Sequence, residues 1–388
     1  MKSEDVSKKT IPLCGRIDGN NAADVEKDLT EKLEGHTGAV IFDAENLEYI
    51  SSAGLRVVLR LMKMFEKISM INVRPEVYDV FETTGFTSLI DVQKSYREVS
   101  IEGCEEIGRG ATGTIYRIDG DNVVKVYDDA DALEEISHER EMAKLALILG
   151  IPTAISYDIV KVGDRFGSVF ELLSPVSFSN IIVNEPEKLD WCVDESVKLL
   201  KLIHETLVPA GKLPDARNRA LAWCETAKEV LPPDTTERVK ELIRAIPYSD
   251  SLIHGDFHTK NIMVHNDEVL IIDMETLSVG NPVFDLASMF DAYEGFSEAD
   301  HEQVRRFQGY DHETSLKFWN RSLVKYLGTD DPDRIKEVVD RARVLGYVRM
   351  IQNAAGKKSS RELNDVNAVP LWTEHLLELL ERVDTLAI

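Results

Sequence analysis

The sequence predicts two domains in one chain: a small β/α sandwich, then a two-lobed α+β domain with a strand-rich first lobe and a mostly helical second lobe. Three observations lead there. Over the first ninety-odd residues short apolar runs alternate with amphipathic ones. From about residue 104, glycine-punctuated strand-like runs follow one another, and beyond Ser174 helical spacing takes over. At 388 residues the chain exceeds what one core usually serves, and its 43% hydrophobic content is ample for two. The division falls at residues 1–95 for the first domain, 96–104 for a connector and 105–388 for the second, whose lobes are 105–174 and 175–388. The connector is neither proline-rich nor of low complexity, so it reads as a short join between domains.

In the first domain, Ile11–Ile17 is strand-like, and Ala22 to Leu33 repeats apolar residues at helical spacing after Asn20-Asn21. Ala39–Asp43 is short and apolar enough for a buried strand. Leu55, Val58, Leu59, Met62 and Phe65 fall at the i, i+3, i+4, i+7 positions of a helix. Met70–Val73 reads as a strand, and Pro75 opens a helix that ends near Gly85. In the second domain, Val123-Val-Lys125-Val is a strand, and Ile136 to Ala146 is a helix carrying Glu139 and Glu141. Gly167–Leu173 is a strand ending in a turn at Pro175, and Trp191–Leu207 is a helix.

Charge and cysteine usage narrow the function. The net charge is −24, of which the first hundred residues carry −4 and the remainder −20. A polyphosphate partner would be repelled, which argues against a nucleic-acid binder, and the acidic second domain tolerates or attracts cationic substrates. Cys14, Cys104, Cys192 and Cys224 lie far apart with no Cys-x-x-Cys pair, as in a reduced, cytoplasmic protein. No run of about 18 apolar residues suggests a membrane span, and the polar start at Met1 does not read as a signal peptide.

The most informative stretch is Ser251-Leu-Ile-His254-Gly255-Asp256-Phe257-His258-Thr259-Lys260-Asn261, followed by Ile272-Asp273-Met274-Glu275. Phosphoryl transfer to a hydroxyl needs one carboxylate beside the attacking oxygen, and an amide oxygen plus a second carboxylate to hold Mg2+ on the ATP phosphates. Asp256 and Asn261 have the Asp-to-Asn spacing of a kinase catalytic loop. Between Asn261 and Asp273, two apolar runs flank Asn266-Asp267, which predicts a tight hairpin returning the second carboxylate beside the first. Upstream, Gly108, Gly110 and Gly113 form a Gly-x-Gly-x-x-Gly loop suited to close approach of phosphates. Lys125, basic in an apolar strand, needs anionic partners; Glu141 is the first choice for its helix carboxylate and Glu139 the alternative. Glu171 and Leu173 mark the stretch whose backbone would meet adenine. His254 and His258 do not read as a zinc pair, because no glutamate follows His254 and the segment is not helical.

Two resemblances follow from these motifs. Around Asp43 to Arg56, with its Ser51-Ser52-Ala53-Gly54-Leu55 core, residues 8–93 resemble the STAS domains of anti-sigma-factor antagonists. The resemblance implies a protein partner and marks Ser52 as the candidate phosphorylation site, although Ser51 stands where the family often has Asp. The plainer role for either serine is a helix N-cap.

Residues 104–300 resemble the aminoglycoside phosphotransferase and choline kinase-like superfamily, with its protein kinase-like fold, through His254-Gly255-Asp256-x-His258-x-x-Asn261, Ile272-Asp273-x-Glu275 and Gly280-Asn-Pro282-Val-Phe-Asp285-Leu-Ala. That resemblance implies ATP and Mg2+ as cofactors, Asp256 at the acceptor hydroxyl, Asn261 and Asp273 on magnesium, Lys125 on the α/β-phosphates, and Asp285 as a brace. A small-molecule acceptor (aminoglycoside, amino alcohol or sugar-like) is expected, since only eleven residues separate Asp273 from Asp285, too few for the regulated segment of a protein kinase. The alternatives are a serine kinase acting on a STAS domain, and a nucleotide-dependent signalling module.

Overall fold

In the computed structural model, which describes residues 8–65, 67–109, 112–171, 176–356 and 366–388, the chain forms two units. The first runs to Glu102 and takes in Ile159–Gly167; the second holds Gly103–Asp158 and Ser168–Ile388. The alternation expected of the first unit is present: β1 (Lys8–Ile17), α1 (Ala22–Lys32), β2 (Ala39–Ile50), α2 (Ser52–Met62), β3 (Ile68–Val73), α3 (Pro75–Thr83), β4 (Asp91–Lys94) and β5 (Arg97–Glu98). Strands β1 to β4 lie side by side in chain order, each pair parallel.

One element is longer than its periodicity suggests. The sequence predicts a strand only over Ala39–Asp43, with a loop before the serines, yet β2 continues to Ile50. Its pairing with β1 slips at Pro12/Cys14 and again at Gly15/Arg16. These irregularities space the buried side chains Ala44, Leu47 and Ile50 by three rather than two, which hides the strand from an alternation test. At the end of β2, Ser51 caps α2, its hydroxyl accepting from the Ala53 amide at 3.2 Å. Gly54 is demanded by contact, since a Cβ there would meet Ile50 Cγ1 at 2.6 Å and Ile17 Cγ2 at 2.8 Å. A side chain would force the helix off the sheet.

The second unit shows the predicted order, strands first and helices after. Strands β6 (Glu105–Arg109), β7 (Gly113–Arg117) and β8 (Asn122–Tyr127) precede helix α4 (Leu133–Ile148). The chain then passes through β9 (Asp158–Val162) and the start of β10 (Arg165–Glu171), whose residues Ile159–Gly167 belong to the first unit, and returns at Ser168. The helical lobe contains β11 (Val176–Ser177), α5 (Phe178–Asn184), α6 (Leu189–Glu205), α7 (Ala216–Ala227) and α8 (Pro233–Ala245). It continues with β12 (Leu252–Ile253), β13 (Ile262–His265), β14 (Glu268–Ile271), β15 (Ser278–Val279), α9 (Val283–Tyr293), α10 (Glu302–Gln308), α11 (His312–Leu327), α12 (Pro332–Ala355) and α13 (Val369–Leu380). Every residue of α9 is buried, so this helix is the axis of the lobe's core. Among the described residues no helix is long and apolar enough to cross a membrane.

Candidate active site

The loop bearing Asp256 is shaped by hydrogen bonds that its sequence makes obligatory. Strand β12 pairs antiparallel with β15 and delivers the chain to Gly255 at φ 84°. Only glycine serves there, for a Cβ would lie 2.8 Å from Arg219 Nη1 and 2.9 Å from the Thr276 carbonyl. Asp285, fully buried on α9, accepts from the amides of His254 (3.0 Å) and Gly255 (2.5 Å) and bonds His204 Nε2 at 3.0 Å. Burial alone would raise the Asp285 carboxyl, but His204 above all, then His254 and the Gly255 amide, hold it below the ordinary range. His254 is buried and its pKa lowered by that burial. Its Nε2 donates to the Ile272 carbonyl at 3.2 Å and its Nδ1 accepts from the Asp256 amide at 3.2 Å. The histidine therefore ties the loop to the strand end before Asp273.

The hairpin β13–β14 forms as the sequence predicts, with Asn266 (φ 48°) and Asp267 (φ 63°) both left-handed at its turn. The Ile272 amide then donates to the Asn261 carbonyl at 2.9 Å, which sets Asp273 next to Asn261. Asn261 Nδ2 donates to the Asp256 carbonyl at 3.0 Å, leaving the amide oxygen without a bond among the described residues. Asp273 itself is left-handed, with φ 66° and ψ 67°, a conformation non-glycine residues rarely hold without a constraint. Surrounding protein raises its carboxyl first, and the charges of Asp256 and Glu139 add to the rise. That bare carboxylate and free amide oxygen are the hard oxygen donors magnesium takes, one or two from protein and the rest from phosphate and water. Asn261 and Asp273 thus fit the ion.

Asp256 is held by two cationic or ring partners. Its Oδ1 accepts from Arg349 Nη2 at 2.6 Å, and its Oδ2 lies 3.3 Å from His258 Nε2. Burial would raise its pKa; His258 and Arg349 outweigh this and hold the carboxyl far below the ordinary range. Arg349 comes from α12 and also lies 3.7 Å from Asp291 of α9.

The lysine's partner corrects one expectation. Lys125 Nζ lies 3.2 Å from Glu139 Oε2, while Glu141 is exposed, so Glu139 and not Glu141 makes the pair. Glu139 belongs to the inward face of α4 with Ile136, Ala143 and Ala146, whereas Glu141 lies two residues and about 200° further round. Tyr127 reinforces the pair, its hydroxyl donating to Glu139 Oε2 at 2.6 Å. Burial disfavours the Lys125 ammonium, but Glu139, Tyr127 and Asp273 together raise its pKa and keep it charged.

Of the loop glycines, Gly113 is fixed by packing: a Cβ would meet the Val126 carbonyl oxygen at 2.2 Å. Gly108 has room, its nearest contact being Ile115 at 3.8 Å. Gly110 and Leu173 lie outside the described residues. Glu171 ends β10 and lines the cavity that joins all these groups. That cavity holds about 850 Å³. Ile107, Ile115 and Val123 face it from the sheet, and Leu270 and Ile272 from the hairpin, giving apolar walls at one end. Asp256, Asp291 and Arg349, joined through the Arg349 guanidinium, line the part that would face an acceptor. In the first unit, Ser52 is the exposed first residue of α2, with Ser51 as the cap.

Sequence reasoning missed Asp291 and Arg349. Two signals were available. Asp285 and Asp291 are the acids of an otherwise apolar helix, a costly arrangement unless used. And Arg349, Gln352, Asn353 and Gly356 repeat at i, i+3, i+4, i+7 along the cavity side of a helix whose other positions pack the core.

Comparison with known proteins agrees with the motifs. Residues 103–319 match the family described as the phosphotransferase enzyme family, and residues 2–99 match the STAS domain. Over 87 residues the chain is 36% identical to BtrV of Bordetella bronchiseptica, a protein named for an anti-sigma factor antagonist role; the match covers 21% of this chain and 75% of that one. Among solved structures, ADP-bound aminoglycoside phosphotransferase APH(2'')-Ib has 16% identity and a TM-score of 0.47, over 78% of this chain and 98% of that one. A thermostable mutant of APH(4)-Ia with ADP and hygromycin B has 11% identity and a TM-score of 0.48, over 78% and 97%.

Proposed function

The chain belongs to the phosphotransferase enzyme family and carries a STAS domain ahead of the matching residues, and from that premise we propose an ATP- and Mg2+-dependent kinase of a small hydroxylated molecule, working in the cytoplasm. One observation carries the reading: a single cavity joins the Lys125–Glu139 pair, the Asn261 and Asp273 oxygens, and Asp256. Magnesium, when bound by Asn261 and Asp273, neutralises charge on the phosphates. Lys125, held straight by Glu139 and Tyr127, binds the α/β-phosphates. The apolar end, with the backbone around Glu171, takes the adenine.

Asp256 is too weak a base to remove a hydroxyl proton before attack, because Arg349 and His258 stabilise its ionised form. Its work is to accept a hydrogen bond from the acceptor hydroxyl and aim that oxygen at the γ-phosphorus. The new P–O bond forms as the bond to the β-phosphate oxygen breaks, and the hydroxyl proton passes to Asp256 late in the transfer. The STAS unit is the regulatory element, offering Ser52 to a partner protein.

Calorimetry with Mg-ATP tests the premise, and steady-state ADP release tests the roles. Asp273→Asn should reduce Mg-dependent turnover by about 10^3-fold, and Asp256→Asn by about 10^2-fold with ATP affinity unchanged. Absence of nucleotide binding by the folded protein would defeat the reading.

A further inference from the structure

The acceptor end of the cavity has a character of its own. Asp291 is buried to 2% exposure, and neither carboxylate oxygen has a hydrogen-bond partner among the described residues; its one ionic neighbour is Arg349 at 3.7 Å. A buried acceptor left bare costs free energy unless something later satisfies it. Asp291 faces the cavity, so a ligand can satisfy it. Arg349 bridges Asp291 to Asp256, placing the two carboxylates on one guanidinium. The reacting hydroxyl at Asp256 and a group at Asp291 are therefore only a few bonds apart.

The charge balance decides what that group is. Arg349 compensates Asp256, and burial raises the Asp291 carboxyl well above the usual range, with Arg349 opposing. Arg219 brings a second guanidinium close behind Gly255. The cations Arg349, Arg219 and Lys260 stand against Asp256, Asp285, Glu275 and Asp291, and burial disfavours the charged form of Asp291, so little excess of negative charge is left to hold a polycation. The strongly acidic total charge of the chain thus says nothing about this end of the cavity.

Around this cluster the lining also offers amides, aromatic rings and the Lys260 ammonium. Gln352 and Asn353 of α12 present amides. Phe296 and Phe307 also line it, edge to face at 5.9 Å, with His258 packed on Phe307 at 5.0 Å and Lys260 Nζ over the same ring at 5.1 Å. Amides and a carboxylate that accept from hydroxyls, beside an aromatic wall that takes C–H faces, suit a compact ring bearing several hydroxyls.

Resting on the kinase reading above, we propose that the acceptor is an uncharged polyol of monosaccharide size, and that Asp291 binds a hydroxyl neighbouring the one that is phosphorylated. Asp291 is a specificity residue, and Arg349 fixes its distance from Asp256.

The test is ADP release from Mg-ATP by the full-length protein with D-ribose, D-glucose, myo-inositol and, as the polycation, kanamycin, combined with Asp291→Asn and Asn353→Ala. Turnover of at least one neutral polyol is expected, with its KM raised at least tenfold in Asp291→Asn and a smaller rise in Asn353→Ala. Affinity for Mg-ATP should not change. The melting temperature of Asp291→Asn should equal or exceed wild type, because the amide removes a buried acid; this separates lost recognition from lost folding. Preference for kanamycin over all three polyols, or polyol turnover with KM unmoved in Asp291→Asn, overturns the proposal while leaving the kinase reading intact. No turnover of any alcohol despite Mg-ATP binding overturns both.

Discussion

At the nucleotide end of the cavity, every group assigned to phosphate or metal lies in a short motif with fixed spacing, whereas the acceptor end draws Asp256, Asp291 and Arg349 from a loop and two separate helices. The metal-binding pair at the first end is held by main-chain bonds: the Ile272 amide donates to the Asn261 carbonyl, and the β13–β14 hairpin returns Asp273 beside it. The second end is held by side chains, with one guanidinium spanning two carboxylates. Backbone geometry tolerates little change, while a side-chain bridge alters with a single substitution. On the proposed function, the groups for the nucleotide are thus set by local chain geometry, and those for the acceptor by how α9 and α12 pack.

The sharpest way to break that comparison is to cut the bridge. Arg349→Ala should lower kcat by about 10^2-fold, the scale of effect expected when a reacting group is misplaced by about 1 Å, and should leave Mg-ATP affinity unchanged. Arg349→Lys keeps the charge without the fork and should recover only part of the loss. Steady-state kinetics with a turned-over polyol, beside calorimetry with Mg-ATP, reads both quantities. Equal losses in nucleotide affinity and kcat would show that the two ends are not separate.

A smaller effect is expected at the other end. Glu139→Gln should weaken Mg-ATP binding by roughly tenfold, as one charge-assisted contact orienting Lys125 is lost. Glu141→Gln should leave affinity at the wild-type value, because its side chain is exposed. The pair measured side by side by calorimetry tests the assignment; a larger loss for Glu141→Gln would reverse it.

These assignments also mark what the sequence could disclose. The β13–β14 hairpin was legible because Asn266-Asp267 is one of the few pairs that adopts two left-handed residues readily. The catalytic loop was legible because its spacing is set by the backbone. The second half of β2 was not, since slipped pairing with β1 spaces Ala44, Leu47 and Ile50 by three. Glu139 and Glu141 sit on the same short helical run, and only the inward face defined by Ile136 and Ala143 separates them. Asp291 and Arg349 each leave a local signal on their own helix, but that the two meet is set by tertiary packing.

The first unit offers the mildest perturbation, and it bears on the same contrast between backbone and side-chain control. Ser51 caps α2 through its hydroxyl, and Ser52 follows as an exposed first helical residue that makes no capping bond itself. A phosphate on Ser52 adds roughly −1.5 to −2 charges where the helix presents free N–H groups and the positive end of its dipole. The helix tolerates that charge, so the fold should not respond; a partner surface that docks there should. Ser52→Asp is expected to change the unfolding free energy by less than about 0.5 kcal/mol while altering affinity for a protein partner. Ser51→Ala, by contrast, removes the cap and should cost about 1 kcal/mol. Thermal melts of the two variants, with phosphopeptide mapping after incubation of the protein with Mg-ATP and a cell extract, decide the matter. If Ser52→Asp destabilises as much as Ser51→Ala, and no phosphate is found on Ser52, then both serines serve the helix end and the regulatory reading of this unit is lost.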